Sequence, residues 1–345
     1  MTADRDNNFG ILRLFLASLV IISHSPELVD GDRSREVLSR LFGTMSFGEV
    51  AVDGFFLISG YLITESFMRN ESVSVYLRKR VLRIVPAYVV SFTLSVLVLV
   101  PLLCDDPTLS VPRLFALLPQ VIALLQPYVP AEHSGLHYPL LNGAMWTIAY
   151  EFRCYLLTAL LGSLGLFQCY RAIILVLAVG ILLIMNATNV MQGIEFPGTV
   201  VLGKAVEGIH LTAMFGVGAL YYLYRALVPL TGIGACLATV SLMILFRYPD
   251  LAETAYIILG GYSILWFAFK ASIWPLRKLR TNVDISYGLY LYGWPIQTLI
   301  VWNDRIINPW LLSAETLVLA SLMGWLSWIV VEKPSLNLVR TTAVG

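Results

Sequence analysis

The sequence predicts an all-α integral membrane protein, a bundle of about ten transmembrane helices with both termini in the cytoplasm. Hydrophobic residues make up 58% of the 345 residues and charged residues only 13%, whereas soluble domains carry about 25% charged residues. The mean hydropathy is +0.76. Apolar segments near the ~20 residues that a spanning helix needs recur along the whole chain. We therefore expect one polytopic membrane domain over residues 1–345, with no appended soluble domain.

The predicted spans follow one another with short polar connections. A further apolar stretch is broken by three prolines, and we interpret it as an interfacial or re-entrant segment because proline interrupts helices. That stretch is Arg113 to Gln126. The predicted spans are residues 9–25, 50–68, 84–104, 141–164, 172–187, 208–225, 230–247, 252–270, 284–303 and 312–331.

The distribution of lysine and arginine sets the predicted orientation. With the N-terminus in the cytoplasm, the inner segments carry about twice as many Lys and Arg residues as the outer ones, in line with the positive-inside rule. An eleventh span would move the basic cluster at 277–280 to the outside, so the charge bias favours ten. The net charge of +1 argues against a nucleic-acid binder, and the four cysteines show no metal-site spacing.

The first predicted span carries two ionisable residues, Arg13 and His24, in an apolar run. They are eleven positions apart, which places both on one helix face about 16 Å apart along the axis. A charge at mid-bilayer costs about 3 kcal/mol, so such residues usually face a bundle interior and mark function. The alternative is that Arg13 reaches the inner head groups and His24 lies in the outer interface.

A basic segment, YLRKRVLRIVP, precedes the third predicted span, with Pro86 in that span's first turns. Arg80 and Arg83 are three residues apart and share a helix face. Paired guanidinium groups bind phosphates well, so the segment suits a phosphorylated cytosolic co-substrate. It equally suits an anchor for lipid phosphates.

The fourth predicted span, within WTIAYEFRCYLL, contains Glu151 and Arg153. Glu151 lies about 15 Å below the outer end of the span. An intramembrane carboxylate indicates function by default, although Glu151 could instead neutralise Arg13 or Arg153.

Two later spans carry groups that suit a polar ligand. In the sixth, Lys204, Glu207 and His210 recur every three residues and could line an acceptor cleft, or form a wetted interfacial face. The ninth contains the aromatic residues Tyr287, Tyr290, Tyr292 and Trp294, which suit stacking on a sugar or nucleobase or a membrane aromatic belt. Pro295 in mid-span predicts a kink that exposes backbone carbonyls.

Six segments together resemble the membrane-bound acyltransferase 3 family, over nearly the whole chain and in order. Arg13 and His24 match its Arg-ten residues-His pattern. VDGFFLISGYLIT is similar to its VDLFFVLSGFLIT segment, with Asp53 and Ser59 matching, and RKRVLRIVPAY to RRxxRIxPxY. WTIAYEFRCYLL resembles WSLxxExxFYLL with Glu151 on the family Glu. DISYGLYLYGWP resembles RISYSLYLWHWP, although the family histidine is Gly293 here, and VVEKP resembles FIEKP.

The resemblance implies transfer of an acyl group, most often acetyl, from cytoplasmic acetyl-CoA to a hydroxyl of an extracytoplasmic carbohydrate. His24 would be the catalytic histidine, with or without an acyl-histidine intermediate, and we hypothesise that Glu151 orients or charges it. Arg13 would lie on the acyl-CoA path, and Arg80 and Arg83 would hold CoA phosphates. No metal is expected. The expected location of the protein is the inner membrane of a bacterium. The expected substrate-binding residues are Asp53, Ser59, Tyr287 and Trp294.

Two other functions remain open from the residues. In a transporter or flippase for a lipid-linked sugar or organic anion, the interior Arg, His and Glu would form a substrate and proton path. The sequence shows no two-fold repeat of the kind that many transporters have. An acyl-CoA-dependent sensor without turnover is the third candidate, and covalent product separates the acyltransferase from both.

Overall fold

The computed structural model describes residues 7–69, 72–104, 107–129, 135–168, 172–194, 203–271 and 283–341. Within these ranges every regular element is helical and no strand is present. A 3₁₀ turn at Gly143–Thr147 leads into the helix Ile148–Ser163, and helical backbone continues through Lys333–Thr341 at the end of the described residues. The helices are α1 Phe9–Asp30, α2 Val37–Phe42, α3 Phe47–Met68, α4 Val73–Leu103, α5 Val111–Ile122, α6 Ile148–Ser163, α7 Ala172–Ala187, α8 Ala205–Leu223, α9 Gly232–Leu245, α10 Pro249–Lys270, α11 Ser286–Asn303 and α12 Pro309–Leu338.

The predicted fold class, an all-helical membrane protein, is confirmed. In the described part of the chain, 5 helices are long and apolar enough to cross a membrane, namely α1, α3, α4, α10 and α12. Each of the other predicted spans overlaps one of the shorter helices α6, α7, α8, α9 and α11. The basic cluster at 277–280 lies outside the described residues.

Helix α5 occupies the proline-broken apolar stretch. Its 12 residues rise about 18 Å, well short of the ~30 Å hydrocarbon core. Only Leu117 is buried, while Phe115 and Ile122 are exposed. This short helix with an exposed apolar surface fits the predicted interfacial segment.

Helix α4 begins earlier than predicted, so Pro86 lies in its interior and not in its first turns. The side chain of Ser72 accepts a hydrogen bond from the backbone N–H of Val75, which caps the helix start. Helix α4 therefore includes the whole basic segment, and Arg80 and Arg83 project from a regular helix.

Close packing of α3 on α8 is the most extensive helix contact of the fold, and it depends on two glycines. A Cβ added at Gly60 would lie 1.9 Å from the carbonyl oxygen of Phe215. One added at Gly218 would lie 2.1 Å from the carbonyl oxygen of Leu57. Only glycine allows this backbone approach, which brings polar residues of the two helices into contact.

Helix α11 contains Pro295, which cannot donate a hydrogen bond to the carbonyl of Leu291 four residues earlier. That freed carbonyl accepts bonds from Asn142 Nδ2 at 2.9 Å and from Ser91 Oγ at 3.1 Å. The predicted exposure of backbone carbonyls at Pro295 thus appears at Leu291, where it joins α11 to α4 and to the segment before α6.

Candidate functional site

Two cavities lie along α1 and α3. The first, of about 150 Å³, is here called the arginine cavity because Arg13, Arg80 and Arg83 line it. The second, of about 430 Å³, is called the histidine cavity because His24 and His210 line it. Val52 and Tyr290 line both, so these two side chains separate one cavity from the other.

The Tyr290 side chain is fixed at this boundary. Its hydroxyl donates to the carbonyl oxygen of Ala144 at 2.5 Å and lies 2.6 Å from Thr147 Oγ1. Its ring packs edge-on against Phe55, with centroids 6.0 Å apart. The Tyr290 ring thus stands between the arginine cavity and the histidine cavity.

Two of the three arginines share one carboxylate. Arg13 Nη2 lies 3.0 Å and Arg83 Nη2 lies 2.7 Å from the same oxygen, Asp284 Oδ2. Asp284 precedes α11, and its other oxygen accepts from Ser286 Oγ at 2.6 Å. Burial raises the pKa of Asp284, but the guanidinium groups of Arg13 and Arg83 outweigh it and hold this pKa below its ordinary value.

Arg80 differs from the other two because it pairs with no carboxylate in the described part of the chain. Its guanidinium carbon lies 5.7 Å from the ring centroid of Tyr76 and 5.9 Å from that of Tyr155. A long hydrogen bond joins it to Ser66 Oγ at 3.4 Å. The Nε atoms of Arg80 and Arg13 are buried without a hydrogen-bond partner. The arginine cavity therefore has donors and positive charge for an anion.

Glu151 does not contact His24, so the hypothesis that it orients or charges His24 is wrong for this structure. It lines the arginine cavity, where Ser59 Oγ donates to it at 2.9 Å and the hydroxyl of Tyr155 at 2.5 Å. Gly48 of α3 packs against Ser23, next to His24, and Ser59 lies eleven residues further along α3, or about 16 Å. Glu151 and Ser59 thus belong to the arginine cavity.

The carboxylate that contacts His24 is Glu27, one turn further along α1. His24 Nδ1 lies 2.9 Å from Glu27 Oε2, and Arg33 donates to the same oxygen from Nε at 3.2 Å and Nη2 at 3.1 Å. Because an ionised carboxylate can only accept, Nδ1 carries the proton in this pair. A neutral His24 then presents an unprotonated Nε2, which can accept a proton from a hydroxyl.

The two aromatic residues expected to bind substrate occupy different places. Trp294 is 4% exposed and packs edge-on against His24, with centroids 4.8 Å apart, while its Nε1 donates to the carbonyl of Leu140. It lines neither cavity and positions the His24 ring. Tyr287 lines the arginine cavity, where the Arg83 guanidinium lies 5.8 Å from its ring centroid, and its hydroxyl donates to the carbonyl of Ile84.

Asp53 lies in the histidine cavity, and the structure adds two partners that sequence reasoning did not connect with it. His210 Nε2 lies 2.6 Å from Asp53 Oδ1, and His210 Nδ1 lies 2.5 Å from Glu253 Oε1. The sequence did mark His210 as a candidate for an acceptor cleft, but Glu253 carried no signal. Among the described residues, no group of His, Cys, Asp and Glu could hold a metal ion.

The chain is similar to known acyltransferases. Residues 6–332 match the model of a family described as an acyltransferase domain. An O-acetyl transferase of Shigella phage Sf6 is 28% identical over 95% of this chain and 96% of its own length. Nodulation protein 10 of Rhizobium leguminosarum bv. viciae is 26% identical over 98% of this chain and 95% of its own length. No solved structure matches the chain.

Proposed function

This chain belongs to the membrane-bound acyltransferase 3 family, and we propose that it transfers an acetyl group from cytoplasmic acetyl-CoA to a hydroxyl of an extracytoplasmic carbohydrate. The observation that carries the proposal is the pair of cavities on either side of Tyr290. One offers three arginines for a phosphorylated donor, and the other offers a histidine with an accessible basic nitrogen. Such a division suits a reaction whose two substrates approach from opposite sides.

The topology that goes with this function has about ten spans, with both termini in the cytoplasm of a bacterial inner membrane. The shorter helices α6, α7, α8, α9 and α11 then cross together with the five long ones. The charge bias supports this orientation, which puts the arginine cavity towards the cytoplasm and the histidine cavity towards the outer face. The bilayer is thus the barrier that the acetyl group crosses.

The donor site is the arginine cavity. Arg80 is the first phosphate ligand because no carboxylate of the described residues competes for it, whereas Arg13 and Arg83 share Asp284 and Arg83 also contacts Glu332 Oε2 at 3.5 Å. Arginine binds phosphate oxygens through paired N–H donors. The pantetheine arm would extend past Tyr290, over the ~16 Å that separate Arg13 from His24 along α1.

At the acceptor side, His24 Nε2 takes the proton of the attacking hydroxyl. In the direct route the hydroxyl oxygen forms a bond to the thioester carbonyl carbon, the carbon–sulfur bond breaks, and CoA leaves as a thiolate that is protonated to the thiol. Glu27 stabilises the imidazolium that forms at His24, and Arg33 balances the charge of Glu27. An acyl-histidine route would use the same nitrogen as the nucleophile.

Acetyl as the acyl group and a hydroxyl as the acceptor are supported by the similarity to the phage O-acetyl transferase. The carbohydrate class is supported by the composition of the histidine cavity, which Trp146, Asn186, Asn189 and several acidic residues line. Amide and carboxylate groups bind sugar hydroxyls, and an indole ring can stack on a sugar face.

A double-label assay tests the proposal and separates it from transport and sensing. Inverted vesicles with the full-length protein, loaded with maltoheptaose, would receive acetyl-CoA with one radiolabel in the acetyl group and another in the adenine. We expect acetyl label, without adenine label, in the luminal oligosaccharide or in the vesicle's own glycans. Uptake of both labels together would support a transporter, and binding without product would support a sensor.

Arg80→Gln is expected to raise the KM for acetyl-CoA by about 10- to 100-fold, because a charge-assisted phosphate contact contributes about 1.5–3 kcal/mol. The kcat is expected to change less, since phosphate binding acts equally on ground and transition states. Arg78→Gln on the same helix is the matched control, because Arg78 is exposed and donates to the carbonyl of Leu338. Equal KM values for the two variants would remove Arg80 from the donor site.

A further inference from the structure

The histidine cavity contains a charged bridge between three helices. Asp53 of α3, His210 of α8 and Glu253 of α10 are joined through the two ring nitrogens of His210, at 2.6 and 2.5 Å. His210 Nε2 is hydrogen-bonded to Asp53 Oδ1, whereas the contact of Nδ1 with Glu253 Oε1 is an ion-pair contact without hydrogen-bond geometry. With a carboxylate against each ring nitrogen, His210 has no nitrogen free to serve as a second base. Its role is to fix the two carboxylates.

One carboxylate oxygen of Asp53 has no hydrogen-bond partner. The residue is 2% exposed, its Oδ1 is engaged by His210, and its Oδ2 is buried without a hydrogen-bond partner. A buried carboxylate oxygen without a donor is costly, so it indicates a position where a ligand supplies one. Asp53 lines the same cavity as His24, so a hydroxyl bound to Oδ2 belongs to a molecule within that cavity.

The charges around this oxygen define what can bind. The acidic side chains of the cavity are Glu49, Asp53, Glu207 and Glu253, and they outnumber its cationic ones, His210 and Arg33. Arg33 is also engaged by Glu27. A carboxylate on the acceptor would face like charges in a partly desolvated space, whereas neutral hydroxyls would find acceptors.

From this geometry we propose that Asp53, His210 and Glu253 form the acceptor-binding side of the histidine cavity, and that this side takes an uncharged, hydroxylated sugar and rejects uronic acids. The inference rests on the proposed acetyl transfer and specifies the class of its acceptor. Asp53 Oδ2 accepts a hydrogen bond from one sugar hydroxyl and thereby turns another towards His24. His210 and Glu253 are positioning residues, since they act through Asp53.

The charge preference is tested with matched acceptor pairs. Proteoliposomes of the full-length protein would receive acetyl-CoA and the methyl glycosides of glucose, galactose and mannose, each beside the glycoside of its uronic acid. We expect the neutral member of each pair that reacts to be acetylated at least about tenfold faster than its uronate. A reactive pair in which the uronate is acetylated as fast as its neutral partner overturns the proposal.

The positioning role is tested by the KM for the acceptor. His210→Gln and Glu253→Gln are expected to raise the KM for the best neutral glycoside by about tenfold or more, with the KM for acetyl-CoA unchanged. Unchanged acetyl-CoA affinity also shows that a variant has folded. If His210→Gln does not fold, Glu253→Gln still tests the bridge, because the Glu253 side chain is half-exposed. Asp250→Asn, an exposed acid on the same helix, is the matched control.

The outcomes distinguish this inference from the proposed function. An unmoved acceptor KM in both variants overturns the role of the bridge. Labelled vesicle glycans without acetylation of any neutral glycoside overturn the neutral-sugar site but leave acetyl transfer intact. No labelled glycan in the vesicle assay means that the proposed function itself fails.

Discussion

Replacing His24 by alanine is expected to lower the rate of acetyl transfer by about 10²- to 10⁴-fold, the range that general-base catalysis contributes. The affinity for acetyl-CoA should stay the same, because His24 lines the histidine cavity, whereas Arg13, Arg80 and Arg83 line the arginine cavity. Acetyl label in the glycan of inverted vesicles gives the rate, and binding of a non-reactive desulfo-CoA gives the affinity.

The matched control is His137→Ala, since His137 is an exposed histidine outside both cavities. It should transfer acetyl groups at the rate of the unaltered protein. The transfer rate of Glu27→Gln should lie between those of His24→Ala and His137→Ala. The glutamine side chain still accepts a hydrogen bond from His24 Nδ1 but no longer stabilises the imidazolium. A His24→Ala protein that retains more than a tenth of the rate would contradict a catalytic role for this histidine.

Helical periodicity alone was enough to predict how Arg13 and His24 are arranged. Residues eleven apart share a face, and the structure places both towards cavities inside the bundle. The same reasoning could have found Glu27, which is three residues from His24 on α1. The predicted span ends at residue 25, whereas α1 continues to Asp30. The prediction therefore leaves Glu27 outside the first span.

The same periodicity explains the different positions of Tyr287 and Trp294. They are seven residues apart, or two helical turns, so they share a face but lie about 10 Å apart along α11. That distance is enough to place one ring in the arginine cavity and the other against His24. The prediction grouped both as substrate-binding aromatic residues by their type and did not consider their different depths.

Contacts between distant segments could not be read from the sequence. Arg13 is 271 residues from Asp284, and Asp53 is 157 residues from His210. These pairs depend on which helices become neighbours, and for Asp53 and His210 on the glycines that bring α3 and α8 together. A buried charge predicts that a partner exists, but several acids along the chain could have served. Glu151 was assigned to His24 for that reason, and Ser59 and Tyr155 are its partners instead.

Asp284→Asn is expected to destabilise the folded protein by about 3–5 kcal/mol, the usual cost of leaving a buried charge without its partner. Arg13 loses its carboxylate partner in this variant, Arg83 keeps only its contact with Glu332, and neither arginine is more than a third exposed. Unfolding in a mild detergent, followed by circular dichroism, measures the loss. Asp304→Asn, an exposed acid at the end of the same helix, should unfold like the unaltered protein.

The pH dependence of this loss follows from the lowered pKa of Asp284. A carboxyl whose pKa is lower in the folded state stabilises fully above its unfolded pKa, and this stabilisation disappears as the pH falls through the folded pKa. Asp284 should therefore stabilise the folded protein at both pH 8 and pH 6, and Asp284→Asn should be less stable than the unaltered protein at both values. A stability difference that disappeared at pH 6 would contradict an ionised Asp284 clamp.

A double-mutant cycle shows whether the clamp acts through charge. If Asp284 balances Arg13, then Arg13→Gln in the Asp284→Asn background removes an uncompensated charge and should restore part of the lost stability. In the unaltered background, Arg13→Gln should be destabilising, because it removes one of two ligands of Asp284 Oδ2. The sign of the Arg13→Gln effect should thus reverse between the backgrounds. Two destabilising effects that simply add would mean that Asp284 and Arg13 support the fold independently, and would contradict a charge clamp between them.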